Sequence, residues 1–191
     1  MMFERFSSDA RAAVIGAQEV ARRRGAGSIE AVHLLLAVSE QEDGAAVRGL
    51  DAVGLTAPAL DRLATATESA DAFDGDALAA LGIDLDAVRA RTDAAFGTGA
   101  LERAGRRRRR GHLTFTNEAA KVLERSLREA LALRAPAIDS GHVLLALLHD
   151  EDTSACRTLV AALAERGSDP AALRAVLTGQ GSSGDRGRAA S

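Results

Sequence analysis

The chain has a single cysteine, Cys156, so no intramolecular disulfide can staple it. Trp and Tyr are absent, and Phe contributes only five residues. A core without large rings must be assembled from small aliphatic side chains, which favour closely packed helices. Lysine occurs once, at Lys121, and this scarcity removes two enzyme classes together. A phosphate-binding P-loop requires Gly-Lys-Ser/Thr, and a Ser-x-x-Lys acyl-transfer centre requires a serine where this chain has Glu118. No apolar run approaches the roughly 18 residues that cross a bilayer, and nothing after Met1 has the basic-then-apolar order of a secretory leader. The expected location is therefore cytoplasmic, with no membrane partner. A formal net charge of -3 gives no overall attraction for nucleic acid.

What is present is a repeat. The 191 residues have room for one compact domain or one built of two similar halves. Shifting the sequence by 109 positions lays Phe6-Ser7-Ser8-Asp9-Ala10 on Phe115-Thr116-Asn117-Glu118-Ala119. In the same register His33-Leu34-Leu35-Leu36-Ala37 falls on His142-Val143-Leu144-Leu145-Ala146, and Leu50 falls on Leu159. Each copy opens with a hydroxyl residue suited to an N-cap, Ser7 or Thr116, followed two positions on by an acid at the positive end of a helix dipole. The apolar side of the first helix runs Ala10, Ala13, Val14, Ala17 and Ala21 in copy one and Ala119, Val122, Leu123, Ser126, Leu127 and Ala130 in copy two, both at helical spacing. Gly25 and Pro136 mark the expected stops. A short helix around Leu34 to Val38, and its copy around Val143 to Leu148, is apolar on too many sides for a surface element and is expected at the centre of each half.

Between the copies, Val53-Gly54-Leu55 is echoed by Leu81-Gly82-Ile83, which predicts an extra helical segment ahead of Asp84 to Phe96. Residues 97–111 read as a polar linker carrying the run Arg106 to Arg110, a solvated stretch without the aromatics of a nucleic-acid module. The expected organisation is a domain over 2–178: repeat one over about 2–66, inserted and completing helices over about 67–96, the linker, and repeat two over about 112–178. The Gly- and Ser-rich residues 179–191 are expected to be disordered.

Met2-Phe3-Glu4-Arg5-Phe6, the repeated block His33-Leu34-Leu35-Leu36 and His142-Val143-Leu144-Leu145, Leu81-Gly82-Ile83-Asp84-Leu85, Phe115-Thr116 and Lys121 to Ala130 together resemble the Clp N-terminal (Clp R) domain of ClpC-type AAA+ unfoldases. The resemblance implies an all-α, pseudo-twofold helical bundle of two Clp N repeats, here with a short inserted segment. It also implies a binding module that captures adaptors, substrates and, in some members, cyclic peptide antibiotics. With the chain ending soon after its second copy, it looks like a stand-alone Clp N-domain protein without the ATPase rings. The carried-over peptide-binding surface is Phe3, Gln18, His112, Phe115 and Glu124: two aromatic anchors flanked by an amide, an imidazole and a carboxylate. The competing reading is that both Phe rings plug the ends of their bundles.

The acid that precedes the paired His in phosphoarginine-binding ClpC domains is missing from Ala31-Val32-His33 and Ser140-Gly141-His142, which argues against that ligand. His33 and His142 have no Cys, Asp or Glu at metal-ligand spacing, so capping or packing is the expected role, and neither metal nor cofactor is called for. Cys156 aligns with Val47 and is expected to be a small core residue. His149-Asp150-Glu151-Asp152 reads as a turn. No catalytic residue is assigned. The expected function is a non-catalytic protein- or peptide-binding module that modulates Clp-dependent proteolysis as an adaptor or a competitor of the ClpC N-domain. Its expected partners are a Clp AAA+ unfoldase or that unfoldase's substrates and adaptors. The alternative is a decoy for ClpC-directed cyclic peptides, and a peptidase ranks last.

Overall fold

Ser7 and Thr116 adopt extended backbone and accept the N–H groups of Ala10 and Ala119 at 3.4 and 3.2 Å, so both copies open as their sequences imply. The chain is seen here as a computed structural model that describes residues 2–72, 91, 94, 95, 97 and 113–179. A short 3-10 turn (Met2–Arg5) precedes α1 (Ser8–Arg24), α2 (Ala31–Ser39), α3 (Ala45–Ala52) and α4 (Ala57–Ala72). The second copy contributes α5 (Asn117–Ala132), α6 (Ser140–Leu147), α7 (Ser154–Glu165) and α8 (Pro170–Leu177). The fold is all-helical, as expected, with no strand among the described residues. The expected inserted helix, the linker with Arg106 to Arg110 and nearly all of the tail lie outside the described residues.

All nine residues of α2 and all eight of α6 are buried. A helix apolar on every side has to be covered on every side, and the packing shows how. α1 covers α2 and α5 covers α6, while α2 and α6 also pack on each other. The remaining cover comes from across the pseudo-twofold. α3 packs on α6 and α8 of the other copy, and α7 packs on α2 and α4. Each third helix is thus lent to the opposite half, so neither half encloses its own centre. Close approach is part of the arrangement: a Cβ at Gly49 on α3 would lie 2.4 Å from Leu177 Cδ2 on α8.

Two backbone clips, related by the 109-residue offset, tie the halves together. In one, Ser7 N–H donates to the Ile138 carbonyl (2.9 Å) and Ile138 N–H to the Arg5 carbonyl (2.8 Å). In the other, Thr116 N–H donates to the Ile29 carbonyl (2.9 Å) and Ile29 N–H to the Thr114 carbonyl (2.8 Å). The bridged residues Phe6, Ile29 and Ile138 are buried, and Phe115 is half-buried against the core.

One expected stop differs. α1 ends at Gly25 in the left-handed region (φ 73°), with Ala26 N–H returning to the Ala21 carbonyl at 2.8 Å. In the second copy the left-handed residue is Arg134 (φ 54°), and Ala135 N–H returns to Ala130 at 2.9 Å. The helix therefore stops ahead of Pro136, because the position equivalent to Gly25 closes the turn even without a glycine.

Candidate functional site

His33 and His142 each stand at the third position of a buried helix and close a reciprocal cap. The Glu30 N–H donates to His33 Nδ1 at 2.9 Å, and the Asp139 N–H donates to His142 Nδ1 at 3.1 Å. This is the capping role expected of them. Burial pushes the His33 pKa down to about 4, with Glu68 opposing and Arg24 assisting. Cys156 is buried as expected, and burial, with Glu151 and Asp150 nearby, raises its thiol, which is the opposite of what a nucleophile needs. Residues 149–152 form the expected turn.

The first acid of each copy breaks the symmetry. Asp9 Oδ2 accepts from the Ser140 hydroxyl (2.7 Å) and the Ser140 N–H (3.1 Å), while its Oδ1 meets the Ser7 hydroxyl. The Ser140 oxygen in turn accepts the buried Ala46 N–H at 3.0 Å. Burial works against the Asp9 charge, but the Ser7 and Ser140 hydroxyls and the Ser140 and Ala10 amides outweigh it and hold the carboxyl near 2. Glu118 occupies the equivalent place in copy two, and opposite it the equivalent of Ser140 is Ala31, which has no hydroxyl. Glu118 Oε1 is screened from solvent and has no hydrogen-bond partner among the described residues. Burial raises the Glu118 pKa, Glu30 and Asp150 raise it further, and Arg157 pulls it down. One half has a saturated acid, and the other has an acid in want of a donor.

Glu118 lies in a hollow of about 300 Å³ between α5 and the end of α6. Val122 and Ala146 line it with apolar surface, Asp150 acts on Glu118, and His149 stands beside Arg125 two turns further along α5. Arg125 Nη2 is 2.9 Å from His149 Nδ1, and its Nε is 3.4 Å from Glu129 Oε1. Lys121, Glu124 and Arg128 are exposed around it, and Lys121 and Arg128 make no ion pair among the described residues. Of the expected surface, then, Glu124 borders this hollow. Gln18, half-buried on α1, and Phe115, half-buried at a clip between the halves, do not line it. His112 lies outside the described residues, and Phe3 is placed only through the backbone of the 3-10 turn. Sequence reasoning passed over the hollow. The signal for it lay in the repeat alignment, where Asp9 with Ser140 becomes Glu118 with Ala31.

Comparison with known proteins agrees with this architecture. The Clp repeat (R) N-terminal domain profile matches residues 5–72, 63–162 and 114–185, and the first and last matches start 109 residues apart, at the spacing of the internal repeat. The chain belongs to the Clp repeat N-terminal domain family. A solved chain from preliminary structural investigations of a malarial protein secretion system superposes with a TM-score of 0.56 at 13% identity. The match covers 92% of this chain and 94% of the other, a likeness of fold. The Clp repeat domain is a non-catalytic interaction domain, which makes this chain a Clp-related interaction module. No helix among the described residues is long and apolar enough to cross a membrane.

Proposed function

We propose that this Clp repeat protein is a non-catalytic binding module that modulates Clp-dependent proteolysis in the cytoplasm, as an adaptor or as a competitor for cargo of a ClpC-type N-domain. The observation that carries the reading is family membership over both copies combined with Phe115. This ring is half-buried at a clip between the halves, whereas its repeat mate Phe6 is 2% exposed. Partly open aromatic surface at a junction suits a peptide anchor. The proposed cargo surface is Phe3, Gln18, His112, Phe115 and Glu124, and the proposed partners are a Clp unfoldase, its adaptors or its substrates. Affinity capture from native cytosol by the tagged chain, beside a Phe3→Ala/Phe115→Ala variant of unchanged helicity, tests this reading. A Clp unfoldase or its peptidase recovered with the parent chain and lost from the variant is the expected result. Equal recovery by both would remove the site assignment. Recovery of neither, with tight binding of ClpC-directed cyclic peptides, would make the chain a decoy instead.

A further inference from the structure

The hollow beside Glu118 is a polarised trough. At the N-terminal end of α5 Asp150 adds a second acid to Glu118, towards its C-terminal end stand Arg125 and Arg128, and Lys121, Val122, Glu124 and Ala146 line the hollow between them. Glu118 and Arg125 are seven residues apart on α5, about 10 Å along the helix axis. That spacing is close to the span of an extended arginine with a hydrogen bond at each end. The trough holds a buried carboxylate oxygen without a donor, which is costly unless a ligand supplies one. The equivalent oxygen of Asp9 has its donor from Ser140 within the chain. Asp9 borders a hollow too, of about 500 Å³, but there its oxygens already have donors, so only the hollow at Glu118 leaves its acid in want of one.

We propose that this hollow receives the C-terminal basic residue of a peptide, its guanidinium or ammonium group on Glu118 and Asp150 and its α-carboxylate on Arg125 and Arg128. A lone cation would leave Arg128 unmatched, and a lone anion would leave Glu118 unmatched; a residue with both charges answers both. The methylene stem of Arg or Lys lies along Val122 and Ala146. The hollow shares Glu124 with the proposed cargo surface but is not lined by Phe115, and it does not depend on the role proposed for that surface.

The test is a fluorescence-anisotropy titration of the full chain with three short peptides labelled at their N-termini. One ends in Arg with a free carboxylate, one ends in Arg amide, and one ends in Ala with a free carboxylate. Saturable binding of the first, about tenfold or more tighter than of the other two, is the expected result, since each lost charged hydrogen bond costs about tenfold. Glu118→Gln and Arg128→Ala should each weaken the first peptide by a similar factor with circular dichroism unchanged, and Phe115→Ala should leave it alone. Equal binding of the amidated peptide, affinity unaltered by Glu118→Gln, or no saturable binding of the first peptide would each overturn the proposal. Loss of binding in Phe115→Ala alone would transfer the peptide to the other surface and overturn it as well.

Discussion

Lowering the pH should weaken the fold through one buried imidazole. His33 is 2% exposed, and its Nδ1 accepts the Glu30 N–H, which a protonated Nδ1 could not do. Burial, with Arg24 assisting and Glu68 opposing, takes its pKa from 6.5 to about 4. The folded state therefore prefers the neutral ring, whereas the unfolded chain takes up a proton near 6.5. The corresponding stability is complete above 6.5 and is lost as the pH falls from there towards 4. A preference of this size corresponds to roughly 3 kcal/mol, of which roughly 2 to 3 kcal/mol should be gone at pH 4.5. His33→Gln supplies the comparison. Glutamine at the third helical position can accept the same N–H and does not titrate in this range. Urea unfolding of both proteins at pH 7.5 and 4.5 isolates the effect, because Asp9, Glu30 and Glu118 are common to both. The parent should lose more stability on acidification than the variant does, by at least about 2 kcal/mol. Parallel losses would refute a neutral, capping His33.

Ser140→Ala removes a donor to Asp9 and leaves the buried Ala46 N–H unpaired, so it should cost about 1 to 3 kcal/mol in denaturant unfolding at pH 7. The depressed Asp9 carboxyl contributes stability above 3.8 that disappears as the pH falls towards 2, and this acid-limb loss should shrink in the same variant. Arg134→Gly relieves a left-handed side-chain residue (φ 54°) and should stabilise by about 0.5 to 1 kcal/mol, seen as a higher midpoint in thermal unfolding. Gly49→Ala puts a methyl group 2.4 Å from Leu177 Cδ2 and should cost about 1 to 3 kcal/mol, with faster hydrogen exchange along α8. Glu118→Gln removes a half-buried charge whose pKa is raised, a penalty felt at neutral pH and relieved as the pH drops through the acid's titration. That variant should be more stable than the parent at pH 7, and the difference should narrow by pH 4.

The two-copy plan was legible because its signals are local and repeated. Ser7 and Thr116 are caps by residue type, and the buried stripes of α1 and α5 follow the spacing of their alanines and leucines. The central position of α2 and α6 followed from their having no polar face. The candidate site was legible only in part. The family resemblance put Glu124, Gln18 and Phe115 on one surface, but it could not place them relative to one another, and the clip that half-buries Phe115 is a contact with Ile29, 86 residues away in the chain. The stop at Arg134 was missed for a related reason. Left-handed backbone is usually read from glycine, and here the return hydrogen bond from Ala135 holds the turn without one.

By itself the sequence determined the helical class, the two-copy register, the caps and the identity of the central helices, because these depend on neighbours within a few residues along the chain. Only the tertiary structure decided that α3 and α7 cross to the opposite half, that Ser140 satisfies Asp9, and that Ala31 leaves Glu118 facing a hollow. Those outcomes depend on which distant residue meets which, and in a repeat protein two equivalent acids diverge when one of their remote partners loses its hydroxyl.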